Sequence, residues 1–217
     1  MIILGLTGSI GMGKSTAAAN FRCLGIPVHD ADRTVHSLMA RGGEAVGILQ
    51  KMFPAAVHKG VVDRGAIATE VFADADALAR IEAALHPLVR QRERVFLSQC
   101  ARQGRALVVL DVPLLFETGG EGRCDAVVTV SAPAFVQRQR VLRRPGMTPE
   151  RLETILARQT PDGEKQKRSD FVVYSGLGRH YSLRQIQKIV RLTRNWQGRR
   201  WPPRAMGRIV TGGKAVA

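Results

Sequence analysis

The chain has only three cysteines in 217 residues, Cys23, Cys100 and Cys124, and no C-x-x-C pair. An odd count without metal-ligand spacing argues against a disulfide framework or a thiolate zinc site and points to reduced thiols in a cytoplasm. Cys23 and Cys100 fall within helical patterns and read as small apolar fillers. Long apolar runs are also missing. The most apolar stretch, Ala106 to Phe116, is broken by Asp111 and Pro113 and is too short to span a bilayer. A signal peptide is not expected, because a strand pattern begins at residue 2 and leads directly into a glycine-rich loop. Internal repeats are lacking. Acidic residues are absent after Asp170, whereas ten Lys and Arg occur between Arg179 and Lys214. The net charge of +15 is therefore uneven: residues 1–170 hold 23 basic and 18 acidic side chains. That modest excess suits a pocket for polyanionic nucleotides, and the strong excess belongs to the C-terminal part.

An apolar fraction of 45% supports a packed core, and the length fits one domain with insertions. The most specific feature is Gly8-Ser9-Ile10-Gly11-Met12-Gly13-Lys14-Ser15, which fits the phosphate-binding pattern G-x-x-x-x-G-K-[ST]. The apolar run Ile2-Ile3-Leu4-Gly5-Leu6 precedes it and a helix-forming run from Lys14 to Leu24 follows. Strand, loop and helix in that order are the context the motif needs. The glycines let successive N–H groups converge on an anion, and the helix start adds donors and partial positive charge. Residues Gly8 to Thr16 are the expected nucleotide-phosphate site. Lys14 would reach the β- and γ-phosphates, and the Ser15 hydroxyl would ligate Mg²⁺.

Strand patterns are read at residues 2–7, at Ile26-Pro27-Val28-His29 ending on Asp30-Ala31-Asp32, and at Ala106–Val112, Asp125–Ser131 and Asp170–Tyr174. Residues 33–104 read as predominantly helical, in pieces Thr34–Ala40, Glu44–Phe53, Arg64–Phe72 and Asp76–Arg102, with Pro87 a kink or break in the last. Ala134–Arg143 is helical, Thr148 caps a further helix, and Ser182 is expected to cap the last. The expected fold is α/β, a doubly wound, five-stranded parallel sheet of the P-loop NTPase type, with a helical insertion and a small helical lid. The core would comprise 1–32, 105–143 and 169–195, the insertion 33–104 and the lid 144–168. Ligands would bind at the carboxyl ends of the strands, where Gly8–Ser15, Asp30, Asp32 and Asp111 are delivered.

A switch GTPase would need D-x-x-G and N-K-x-D, and a dinucleotide fold G-x-G-x-x-G; none is found in place. A small P-loop kinase remains. The chain resembles the dephospho-coenzyme A kinase family in Leu6-Thr7-Gly8 through Thr16 and in Asp30-Ala31-Asp32. The likeness continues through Val62-Asp63-Arg64 with Val71-Phe72, and Leu85-His86-Pro87-Leu88-Val89-Arg90. It extends to Asp111-Val112-Pro113-Leu114-Leu115-Phe116-Glu117, Gln137-x-x-Arg140 and Ile155-Leu156-x-x-Gln159. The likeness runs in order over roughly residues 2–176. The family usually has Gly at the place of Ser9, Ser at Met12, often Asp at Pro145, and often Asp and Asn at Tyr174-Ser175.

The resemblance implies ATP-dependent phosphorylation of the ribose 3′-hydroxyl of dephospho-CoA, with ATP and Mg²⁺ as cofactors. It makes Asp32 the group that accepts the hydrogen bond of that hydroxyl; by spacing alone Asp32 reads as the cap of a helix beginning at Arg33. Asp30 is either structural or stands just behind the reacting groups. Asp111 is either a Mg²⁺-water carboxylate or a loop cap. Arg140 and Arg144, four apart, either neutralise transferring phosphoryl oxygens, Arg140 as a catalytic group and Arg144 on the nucleotide, or are ordinary solvated arginines. Arg64, His86 and Arg90 belong by resemblance to the acceptor side, where each either touches substrate or packs.

Two other readings stay open. One is another small-molecule or nucleotide kinase on the same plan. The other is an ATP-dependent nucleic-acid-binding protein, suggested by a pI near 11.1 and the Arg/Trp tail. A membrane partner and a specific nucleic-acid partner are not expected, and the oligomeric state is left open. Residues 196–217, with Arg199, Arg200, Arg204, Arg208 and Lys214, read as a flexible basic tail dispensable for chemistry.

Overall fold

The computed structural model describes residues 1–202, and of residues 64, 68, 71, 72, 73 and 75 the backbone only. The strands are β1 (Ile2–Thr7), β2 (Val28–Asp30), a small hairpin of β3 (Val57–His58) and β4 (Val61–Val62), then β5 (Leu107–Asp111), β6 (Ala126–Ser131) and β7 (Phe171–Tyr174). The helices are α1 (Lys14–Cys23), α2 (Ala31–Met39), α3 (Val46–Met52), α4 (Arg64–Ala73), α5 (Ala75–Arg102), α6 (Ala134–Leu142), α7 (Pro149–Ala157), α8 (Asp162–Lys167) and α9 (Arg179–Thr193).

Five parallel strands form one sheet in the order β2-β5-β1-β6-β7, as expected of a doubly wound P-loop fold. Its strands read as continuous apolar runs because both faces are covered. Ile2, Leu4 and Leu6 of β1 pack with Val128, Val130, Ala17, Phe21, Ile186 and Ile189 on the α1/α9 face. Ile3 joins Val108, Leu110, Leu97 and Cys100 on the α5 face. The period-two alternation of β1 thus feeds two cores. The register places Leu6 beside Asp111, and Asp111 beside Asp30, so three strands end together at one edge.

Residues 33–104 carry a core of their own, built on Leu38, Leu49, Phe53, Ile81 and Leu85. The structure fills one gap between the expected helical pieces and decides against a break at Pro87. The helical run is interrupted by the β3–β4 hairpin, turned by Lys59 and Gly60 at φ 51° and 75°. α5 runs unbroken through Pro87 for 28 residues, about 42 Å at 1.5 Å per residue. Its first half packs in the insertion's core and its second half against the sheet, so tertiary contacts on both sides hold the helix across a proline that local propensity would use to end it.

Other corrections are local. Ser182 does not cap α9. The helix starts at Arg179, and the Ser182 hydroxyl donates from its first turn to the carbonyls of Tyr174 and Gly178. Cys23 is exposed, whereas Cys100 and Cys124 are buried. Burial pushes the Cys124 thiol up to about 12. Among the described residues no helix is long and apolar enough to cross a membrane.

The basic tail is not wholly flexible. Trp196 packs on Phe171 at 5.9 Å between ring centroids, and Trp201 joins the α5-side core. Asp125 holds this segment: Oδ2 accepts from Ile3 N at 2.8 Å, and Oδ1 from Arg199 N at 2.6 Å and Arg200 N at 3.1 Å. The sequence pattern hid this, because the anchoring acid lies far upstream. Residues 203–217, with Arg204, Arg208 and Lys214, lie outside the described residues. Asp125→Ala leaves these three donors without their acceptor and should cost about 2–3 kcal/mol. The melting temperature should fall by roughly 4–12 °C, and a drop under about 1 °C would show that the segment is held by other means.

Candidate functional site

The phosphate loop occupies the turn from β1 into α1, and its shape is set by glycine. Gly11 and Gly13 adopt φ of 77° and 94°, which side-chain-bearing residues rarely adopt. A Cβ on Gly13 would also stand 2.9 Å from Ser175 Oγ.

Residues distant in sequence brace the loop. Ile10 is gripped on both sides: its N–H donates to Gln159 Oε1 at 3.1 Å, and its carbonyl accepts from Gln137 Nε2 at 2.8 Å. Arg140 donates to Ser175 Oγ at 2.8 Å and to the Ser175 carbonyl at 2.9 Å, and reaches the Gly11 carbonyl at 3.4 Å. The Ser175 hydroxyl in turn donates to the Met12 carbonyl at 2.6 Å. Gln137 and Gln159 had no assigned role in the sequence, although their spacing from Arg140 and Ile155 was visible.

Lys14 Nζ donates to Asp111 Oδ1 at 2.7 Å, with the two side chains 15% and 3% exposed. Burial pushes the Asp111 carboxyl above the usual carboxylate range; Lys14 opposes that shift, and the charges of Asp30 and Asp32 add to it. Asp111 is thus part of a charged centre and not a loop cap. The capping role that competed for Asp32 falls to Asp30, whose Oδ1 accepts from Arg33 N at 2.9 Å at the start of α2. Asp32 is left exposed on the first turn, facing the loop.

A cleft of about 570 Å³ collects Gly8 to Gly11 and Gly13 to Thr16 together with Asp32, Arg140, Arg144 and Gln159. Arg144 lines it with no described partner, whereas the Arg140 fork is committed to Ser175. Arg179 and Ser182, unforeseen in the sequence, line the far wall. Their only signal was position after the last strand. His86 is exposed on α5 and does not line this cleft, and Arg90 lines a different cavity. The Arg64 side chain lies outside the described residues.

The dephospho-CoA kinase family matches residues 2–177 of the sequence. The chain belongs to that family. A dephospho-CoA kinase from Paramagnetospirillum magneticum is 63% identical over 166 residues, covering 76% of this chain and 78% of that protein. One from Rhodospirillum rubrum is 54% identical over 202 residues, covering 92% and 95%. A crystal structure from Thermus thermophilus is similar at 39% identity with a TM-score of 0.76, covering 88% of this chain and 96% of that one. The family match takes in the phosphate loop, Asp32, Arg140 and Gln159, and ends just after Ser175.

The segment after α7 is tied down by Glu117, whose Oε1 accepts from Thr160 N at 2.8 Å and lies 2.9 Å from the fully buried Lys165 Nζ. The two groups form a buried ion pair. Partial burial alone would raise the Glu117 carboxyl, but Lys165 and the Thr160 N–H outweigh it and hold it below its usual range. A carboxylate held low stabilises the fold above its ordinary pKa, and that contribution fades as pH falls through the lowered value. Glu117→Gln should therefore lose about 2–4 kcal/mol near neutral pH by stranding the Lys165 charge. In urea titrations the gap from wild type should narrow below about pH 4. An equal gap in acid would show that the ion pair is not the source.

Proposed function

We propose that the chain transfers the γ-phosphoryl group of ATP to the ribose 3′-hydroxyl of dephospho-CoA, giving coenzyme A. The observation that carries the reading is a single cleft holding an intact phosphate loop and the free carboxylate of Asp32, in a chain that belongs to this family. The loop N–H groups would bind the nucleotide phosphates. Lys14 would exchange Asp111 for the β- and γ-phosphate oxygens. Asp32 would accept the hydrogen bond of the 3′-hydroxyl and aim it in line, since a loose transition state needs positioning more than strong base chemistry. Arg144 would meet charge on the transferring oxygens, with Arg140 bracing the loop beside it.

The residues fit Mg²⁺. Asp111 is a buried carboxylate beside a cationic partner, and Ser15 stands at the loop's end. Among the described residues no cluster of three or more His, Cys, Asp or Glu could hold a metal, so phosphates and water would supply the other ligands. The ion would neutralise phosphate charge; Ser15 and Asp111 would be its protein contacts.

The acceptor unit would be residues 33–104, with Arg64 and His86 on it, and the lid residues 144–168. Arg90 lies on the same helix, and its side chain lines a second cavity rather than the phosphate-loop cleft. Three cysteines without a disulfide support a cytoplasmic setting.

The test is to incubate the protein with Mg-ATP and dephospho-CoA and detect coenzyme A by mass. Asp32→Asn should lower kcat at least ~100-fold with ATP affinity nearly unchanged. Lys14→Ala should impair both nucleotide binding and turnover. If Asp32→Asn kept more than about a third of wild-type kcat, a role in positioning the hydroxyl would be excluded. Equal kcat/KM on AMP would move the chain to a nucleotide kinase.

A further inference from the structure

A larger cavity, about 950 Å³, opens at the opposite end of β1 from the phosphate loop. Its walls are the second half of α5, the stretch before β6 and the docked segment 199–201. Five arginines line it, Arg90, Arg94, Arg123, Arg199 and Arg200, against two carboxylates, Glu93 and Asp125. Both carboxylates are already engaged. Glu93 pairs with Arg123, and Asp125 accepts three backbone N–H groups. The side chains of Arg90, Arg94 and Arg199 have no carboxylate partner among the described residues, and Arg123 Nε is buried without a hydrogen-bond partner.

Guanidinium groups gathered in this way repel one another, and an anion relieves the repulsion. Residues 203–217, which follow the docked segment, contain no Asp or Glu side chain to supply that charge. Arginine forks match phosphate oxygens two at a time. The volume lies in the range of small-molecule sites. The cavity is partly open to solvent, with Trp201 forming part of its wall, so a compact ligand can meet several of the arginines at once.

We propose that this cavity is a second anion site, separate from the phosphate loop, that takes a small ligand bearing two or more phosphate groups. Two sources share that chemistry: a free polyphosphate, held by the arginines alone, and a nucleotide whose base rests on Trp201. Neither depends on which acceptor the kinase uses.

Calorimetry with inorganic tripolyphosphate on the full chain at low salt tests it. Wild type should show two sites. Arg94→Ala with Arg199→Ala should weaken one by at least about tenfold, the loss expected of two charge-assisted contacts, and leave kcat within about twofold. Lys14→Ala should weaken only the other. Both substituted arginines are exposed, and Arg94→Glu alone provides a second variant should the double one fold poorly. In a Trp196→Phe background Trp201 is the single tryptophan. There, ATP binding tighter than tripolyphosphate with quenching identifies a nucleotide; equal affinity without quenching identifies free polyphosphate. One site in wild type, abolished by Lys14→Ala, overturns the proposal. So does unchanged affinity in both arginine variants, or a short single-stranded RNA that binds the cavity more tightly than either small ligand.

Discussion

The ion pair between Lys14 and Asp111 organises the edge of the sheet that carries the phosphate loop. It joins the end of the phosphate loop to the end of the neighbouring strand, and it can form only because β1 and β5 run parallel in a register that sets Leu6 beside Asp111. Burial raises the energy of the ionised Asp111, so the lysine is held by a carboxylate that itself needs a cation. The same register brings Asp30 alongside, where it caps α2 and so leaves Asp32 free of that task.

Around this pair the loop is held from parts of the chain that come much later. Gln137 and Gln159 grip one residue of the loop, Ile10, from α6 and from the segment after α7, and Arg140 with Ser175 supports the next turn. The loop's N–H array is therefore not a local property of its glycines. The segment that bears Gln159 is fixed in turn by Glu117 on Lys165 and Thr160. Gln159 thus belongs both to that segment and to the lining of the phosphate-loop cleft.

Some of this was legible in the residues. The strand-loop-helix order, the five apolar runs and the helical character of residues 33–104 each follow from period and composition, and the family motifs named Asp32, Arg140 and Gln159. Local reasoning failed where distant contacts outweighed propensity. Pro87 lies inside a helix because two cores hold its flanks. Residues 196–202 look like a disordered basic tail, yet Asp125 and an aromatic stack dock them. His86 and Arg90 share a motif and a helix with the acceptor unit, but neither lines the phosphate-loop cleft.

By itself the sequence determined the chemistry that the chain carries: the spacing of glycines, lysine and serine is a local backbone requirement for binding phosphate, and strand periodicity is a local consequence of two-sided burial. The tertiary structure alone decided which charges meet. Lys14 and Asp111 stand 97 positions apart, and Glu117 pairs with Lys165 from another element of the fold. Their pairing depends on strand order and register, which place distant residues side by side and which no window of sequence contains.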